Sequence, residues 1–544
     1  MNRRKLDPQV SVSGQITTKD LIGLVSDGIE VIICNRPDGE AADQTNFSDI
    51  KQAAQALGLT AYNITFVSGQ LDEALVRQFS GVLANGKKVH AYCRTGNRSE
   101  QIWKATQQLT GSGLIPAMDE NTNIDGLEHE ATQREKPCFD VVIIGAGSGG
   151  VAVSSSLYKR NKQLRIVVID ASSKHYYQPG WTMVGGGVFS PESTERDTAS
   201  LFGRQISHIK QNVAKVLPSE GKVVLDDLSE VYYQQLIVSP GLELSWDAIE
   251  GAEDTLGKNG VTSNYRYDLA PYTWELVKNL KQGKAIFTQP PMPIKCAGAP
   301  QKALYLSADH WCKNGVLNNI DIEFCNAGGV LFGIETYVPA LMEYIKKYHV
   351  ALNFSHNLVK VDGENKKAWF DVIDENGEQK RVCKDFDLLH ICPSQRAPEF
   401  IKASGLADNA GWLNVDPHTL QHVVYKNIWG LGDAMNTTNA KTMAAIRKQV
   451  PIVATNICDS LTGKPVLAKY DGYGSCPLIV ERGKIVLAEF CYGGRITPTF
   501  PSWLNNGAQP TRLAWWLKVH ALPQIYWQGM LKGREWLTKS VVEF

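Results

Sequence analysis

Strand-like and helix-like runs alternate along nearly the whole chain, which predicts an α/β protein: a small amino-terminal α/β domain, two dinucleotide-binding-type halves, and an amphipathic helical tail. Three observations carry this. The early run IEVIICNRP reads as a buried strand and is followed by FSDIKQAAQALG, a helix that stops at Gly58. A second unit opens at FDVVIIGAG with strand, glycine turn and helix. Near the end the pattern changes to TRLAWWLKVHALPQIYWQGMLKGREWL, aromatic and basic at helical spacing. A chain of 544 residues exceeds one ordinary core, because domains run to roughly 100–200 residues.

In the first unit, TAYNITFVSG, LDEALVRQFSGVLANG and KKVHAYC continue the alternation as strand, helix and strand, giving a domain over residues 1–115. Residues 116–137, which include MDENTNIDGLEHEATQREKP, are polar and aperiodic and read as a linker. Residues 138–465 form the two large halves, one from 138–270 and 395–465, the other from 271–394. Residues 466–544 hold a hairpin, LIVERGKIVLAEF, and the tail.

The 56 basic and 56 acidic residues leave no overall field for a polyanion, so nucleic acid is excluded as a partner. No apolar run reaches the ~18 residues of a spanning helix. The basic start lacks the apolar core of a secretion signal, and the chain is expected in the cytoplasm. Eleven cysteines over this length make no disulfide framework. Cys34, Cys312, Cys325, Cys383 and Cys458 lie in apolar or strand-like runs and read as packing residues. No metal site is expected.

DVVIIGAGSGGVAVSSSLYKRNKQLRIVVID is a strand, glycine turn, helix and strand closing on an acid. Gly145 permits the turn, Gly147 lets the backbone approach a pyrophosphate, and Gly150 lets helix and strand pack. The helix N-terminus then faces the phosphates, and Asp170 is placed for a ribose hydroxyl. This is a Rossmann-like dinucleotide fingerprint. IWGLGDAMNTTNAKTMAAIRKQ, with Gly432, Asp433 and a helix starting near Thr442, resembles the closing motif of the flavoprotein disulfide reductase superfamily; YYQQLIVSPG, with Gly241, resembles its connecting strand. The resemblance implies FAD, with Asp433 on the ribityl chain.

After the strand KAIFTQ a nicotinamide-binding half would carry a second glycine fingerprint, but PPMPIKCAGAPQK follows instead. Cys296 stands there between Lys295 and Lys302, just ahead of a helix that Pro300 helps to start. Helix dipole and lysines favour the thiolate, the form that attacks sulfur.

KHYYQPGWTMVGGG, IKCAGAPQK, YDGYGSCPL and the aromatic tail resemble the sulfide:quinone oxidoreductases, in particular the branch with the mitochondrial enzyme, from about residue 138 to the C-terminus. The resemblance implies two redox cysteines on one flavin face, a disulfide attacked by sulfide, electron transfer to quinone, and release of sulfane sulfur to a small thiol. Cys296 matches the first cysteine. Ala434 stands where the second is expected, which leaves two readings: Cys392 substitutes, or Cys296 works alone as a persulfide or flavin adduct. The tail then suits a bilayer interface at the inner face of the cell membrane, opening a quinone path. Its alternative is a dimer interface or core.

KKVHAYCRTGNRSEQIW places Cys93 at a strand end and Arg98 five residues on, a loop whose N–H groups form an anion nest. Four residues intervene, Arg94, Thr95, Gly96 and Asn97, one fewer than in tyrosine phosphatases. CRTGNRS resembles the persulfide loop of single-domain rhodaneses; CNRPDGEAADQ resembles the phosphatase-like domain of bacterial beta-lactamase-hydrolase-like proteins, fused there to persulfide dioxygenases. The sequence thus reads as a sulfur-metabolism flavoenzyme with a Cys93 sulfurtransferase domain. The alternative is a phosphatase-like hydrolase fused to an NAD(P)/FAD-dependent disulfide or polysulfide reductase.

Overall fold

The computed structural model describes residues 3–41, 44–66, 71–84, 86–111, 138–374, 377–536 and 538. The chain divides into two compact units, Met1–Arg134 and Glu135–Phe544. The linker expected over 116–137 lies outside the described residues.

The first unit is a five-stranded sheet in the order Arg3–Lys5, Val10–Ser13, Val89–Tyr92, Val31–Cys34 and Thr60–Asn63. The strand Val31–Cys34 is parallel to both of its neighbours, Val89–Tyr92 and Thr60–Asn63. Its four side chains are buried on two faces, as the pleat requires. Val31 and Ile33 join a core with Phe79 and Val82; Ile32 and Cys34 join another with Phe47 and Ile50. The helix Asn97–Gly111 follows the central strand Val89–Tyr92, and the turn between them carries Cys93.

In the second unit a seven-stranded sheet has Cys138–Ile144 at its centre, parallel to Ile166–Ile169 on one side and Glu230–Val238 on the other. The late strand Ile428–Gly430 returns to pair with Glu230–Val238, so the loop after it arrives beside the glycine turn. A second sheet orders Val261–Thr262, Leu388–His390, Gly283–Gln289, Ile320–Asn326 and Ala351–Phe354. The hairpin pairs Gly474–Glu481 with Lys484–Phe490 and packs on the helix Ala299–Lys313, both contributing to one core through Leu304, Cys476 and Leu478.

The tail runs through Arg512–Trp516 and then two wide π turns, Leu517–Ala521 and Ile525–Gly529, on either side of Pro523, whose missing N–H interrupts the regular ladder. It is not a free amphipathic segment. Tyr526 is fully buried, its hydroxyl 2.8 Å from Ser148 Oγ and bonded to His175. Arg160 pairs with Glu535 at 2.6 Å, and Ser155 Oγ donates to the Leu531 carbonyl. Lys518, one of the basic residues of that run, is buried. What stays exposed includes Trp503 at 82%, just ahead of the tail, and Trp516 at 54%, within it.

Candidate active sites

The glycine turn has the geometry of a nucleotide cradle. Gly145 sits at φ +98°, and a Cβ there would lie 2.2 Å from the Ser239 carbonyl oxygen. A Cβ on Gly150 would lie 1.8 Å from the Gly145 oxygen, so helix and strand meet only because it is glycine. Gly147 faces open space and precedes the helix Ser148–Arg160. Asp170 accepts the Ala146 N–H at 2.6 Å and fixes the loop. Gly241 and Gly432 also take positive φ, and Thr442 caps the helix Met443–Leu461.

Gly147, Asp170, Gly241, Gly432 and Thr442 line a cavity of about 560 Å³ that also reaches Cys296 and the tail. Asp433 projects into it, nearly fully buried; Lys295 Nζ is 2.8 Å from its Oδ2, while its Oδ1 has no protein partner. An unpaired buried carboxylate oxygen is costly unless something donates to it, and a ribityl hydroxyl would do so. The residues therefore fit a flavin dinucleotide.

Cys296 lies two residues before Gly298, which precedes the helix Ala299–Lys313. Its backbone is left-handed, φ +54°, and its N–H donates to the Lys441 carbonyl at 3.1 Å. Holding a non-glycine residue in that sparse region costs on the order of 1–3 kcal/mol, which the surrounding contacts must offset. The Cys476 thiol donates to its sulfur, and Lys302 Nζ stands 3.0 Å away. Against the opposing effect of burial, these hold the Cys296 thiol well below its usual pKa, and Cys476 is pushed up in consequence. Lys518 faces the same sulfur; burial pushes its pKa down to about 7.

Several expectations change here. Lys295 is spent on Asp433 and Gln178 rather than on the thiol. Ala434 is completely buried in the core of the flavin half. Neither Cys392 nor Cys476 lines the cavity; what separates them is that Cys476 hydrogen-bonds the Cys296 sulfur, whereas burial raises the Cys392 pKa and its sulfur lies against the Tyr265 hydroxyl. The sulfur partner of Cys296 is Cys476, in the hairpin strand Gly474–Glu481. Gly298 brings it close, since a Cβ there would lie 2.2 Å from Leu478 Cδ2.

In the first unit Cys93 is 1% exposed, and its sulfur accepts the Gly96 N–H at 3.1 Å. Burial raises its pKa, but backbone N–H groups of Ser99, Thr95, Arg98 and Gly96 outweigh that and leave it lowered. Gly96 is at φ +92°, the conformation that turns these donors inward. Arg98 is buried and engages Glu40 through both terminal nitrogens, at 2.7 and 2.6 Å.

Residues 2–110 match the family described as beta-lactamase hydrolase-like protein, phosphatase-like domain, and residues 139–279 match pyridine nucleotide-disulphide oxidoreductase. The mitochondrial sulfide:quinone oxidoreductase of Dictyostelium discoideum is 42% identical over 405 residues, covering 74% of this chain and 88% of that protein. The chain belongs to the sulfide:quinone oxidoreductase family. It is an FAD-dependent oxidoreductase. The sulfide:quinone oxidoreductase structure from Aquifex aeolicus shares the fold, with a TM-score of 0.60 at 19% identity over 73% of this chain and 92% of that one. The amino-terminal unit is similar to a beta-lactamase hydrolase-like protein of Agrobacterium fabrum, 31% identical over 113 residues, 20% of this chain and 26% of that protein.

The signal for Cys476 was present in the sequence. It lies within YDGYGSCPL, one of the stretches that carry the family resemblance, yet a cysteine in a β-branched strand reads as packing until the hairpin is placed.

Proposed function

We propose that the flavin half oxidises sulfide at a Cys296–Cys476 disulfide and delivers the electrons to a quinone, and that the amino-terminal unit carries sulfane sulfur on Cys93. The observation that carries this is the Cys296 sulfur in the cavity, with the buried Cys476 packed against it from behind and the Lys302 ammonium 3.0 Å away.

In the oxidised pair, hydrosulfide attacks one sulfur and the S–S bond breaks. The electron pair leaves on the other sulfur. The thiol of lower pKa leaves faster, and that is Cys296, whose negative charge Lys302 meets. Attack therefore falls on Cys476, which becomes the persulfide. A small thiolate then takes the outer sulfur, leaving Cys476 and Cys296 both reduced. Bound FAD supplies the two-electron acceptor that restores the disulfide. Asp433 and the dipole of the helix Met443–Leu461 would hold it, while Gly147 and Asp170, in a turn that Gly145 and Gly150 make possible, would seat its nucleotide end, with Gly241 and Gly432 shaping the loops between.

For the quinone, the cavity has an apolar wall from Phe500, Leu517, Leu522 and Ile525. Exposed Trp503, Leu504, Leu513 and Trp516 suit a bilayer surface, where a quinone resides. Among the described residues no helix is long and apolar enough to cross a membrane, so the attachment proposed is peripheral. Sulfur released at Cys476 is passed on to Cys93 by the small thiol.

Anaerobic sulfide is expected to reduce the flavin of the intact protein, and a soluble quinone to reoxidise it. Reduction by NADH or NADPH with no response to sulfide would overturn the reading.

A further inference from the structure

The Cys93 loop holds a feature that the sulfur-transfer reading does not use. Glu40 is bound by two guanidiniums: Arg98 donates from both terminal nitrogens, and Arg36 Nε donates at 3.0 Å. Both arginines are buried, 4% and 6% exposed, whereas the Glu40 side chain retains 27%. The carboxylate therefore lies at the solvent side of the arginine that an incoming anion must reach. Hydrogen bonding from Arg98 lowers the Glu40 pKa, so it is charged at neutral pH.

Around the loop two buried guanidiniums face the Glu40 carboxylate and the Cys93 sulfur, whose pKa backbone N–H groups lower. Loading adds no charge to that cluster. The thiolate attacks the outer sulfur of R–S–SH, the new S–S bond forms as the old one breaks, and R–S⁻ departs, leaving a persulfide with a single charge at most. A phosphate dianion instead adds two negative charges beside Glu40 and must displace it from Arg98. Desolvated like charges at such distances are strongly repelled.

We propose that Glu40 is a specificity-determining residue that makes the Cys93 loop a site for singly charged sulfur and closes it to dianionic oxyanions. This rests on the sulfur-carrier reading of the first unit and says which ligands that loop refuses. Asp38, the other acid of the same turn, is held by its Oδ1 to the Phe47 N–H at the start of the helix Phe47–Ala56, at 2.9 Å.

The test uses the full chain. Cys93 alkylation by iodoacetamide is followed by peptide mass spectrometry with increasing inorganic phosphate at fixed ionic strength, in wild type, Glu40→Gln and Glu40→Asp. Phosphate is expected to leave wild type and Glu40→Asp unprotected, and to protect Glu40→Gln at concentrations lower by at least about tenfold. Equal protection of wild type and Glu40→Gln overturns the proposal. So does protection gained equally by Glu40→Asp, which would mean a loosened loop rather than a lost charge. A separate arm treats wild type with glutathione persulfide and looks for one added sulfur on the Cys93 peptide. If none appears, the sulfur-carrier reading falls, while the phosphate arm still decides whether Glu40 excludes dianions.

Discussion

Cys93, buried at the end of a parallel strand, and Cys296, half-buried just ahead of a helix, are both held with lowered pKa, but by different means. At Cys93 the donors are backbone N–H groups of one loop, fixed by Gly96 at positive φ. At Cys296 they are side chains from distant segments, Cys476 from the hairpin and Lys302 from the following helix. A backbone nest carries no net charge and is spread over four residues. A lysine and a thiol concentrate the effect in two side chains and add a second sulfur. The first arrangement suits a carrier that only holds sulfur; the second suits a centre that changes oxidation state.

This contrast is broken most sharply at the second sulfur. Cys476→Ser is expected to lower sulfide-driven flavin reduction on the order of 10³-fold, because no disulfide remains for sulfide to open. Cys392→Ser is expected to stay within about a factor of two, a buried thiol exchanged away from the cavity. Stopped-flow flavin absorbance reads both, and the reverse order would return the redox role to Cys392. Next in size is Lys302→Met. A lowered pKa keeps Cys296 ionised as pH falls below the ordinary thiol range, so wild type should react with iodoacetamide at pH 6 where a free thiol does not. Removing the ammonium raises that pKa, and alkylation at pH 6 should fall by about tenfold or more, with the midpoint moving upward. An unchanged midpoint would leave Cys476 alone responsible.

The α/β units, the glycine cradle and the two loop cysteines were legible because each lies in one continuous stretch. Gly145, Gly147, Gly150 and Asp170 are set by a strand, a turn and a helix that are neighbours in sequence. Cys93 and Arg98 are likewise local. The partner of Cys296 was not legible, since 179 residues of chain lie between Cys296 and Cys476 and only the packing of hairpin on helix joins them. Ala434 looked equivalent because it follows Asp433, yet its side chain turns into the core. The tail misled for a related reason. Aromatic and basic residues at helical spacing fit a membrane face and a core equally, and Lys518 and Tyr526 went to the core because Tyr177, His175 and Ser148 meet them there.

That placement changes how the tail is probed. Truncation after Gly507 would remove the buried Tyr526 and Leu531 and unpack the flavin half. Trp503→Glu with Trp516→Glu alters only the exposed set, and is expected to reduce co-sedimentation with phospholipid vesicles about tenfold while sulfide still reduces the flavin. Undiminished vesicle binding would place the quinone entrance elsewhere and separate the Cys296 centre from the membrane.

The smallest effect is expected where the thiolate is held by backbone. Gly96→Ala places a Cβ 3.3 Å from the Ser13 carbonyl and forces a left-handed alanine, a cost of about 1–2 kcal/mol. The first unit should melt several degrees lower. The other three N–H groups still surround the Cys93 sulfur, so its alkylation midpoint should rise by less than about one pH unit. Lys302→Met should show the opposite pattern, a large shift in the Cys296 midpoint with the first unit's melting unchanged. If Gly96→Ala moved the Cys93 midpoint as far as Lys302→Met moves that of Cys296, the nest would rest on one donor, and the distinction between shared backbone and single side chain would fail.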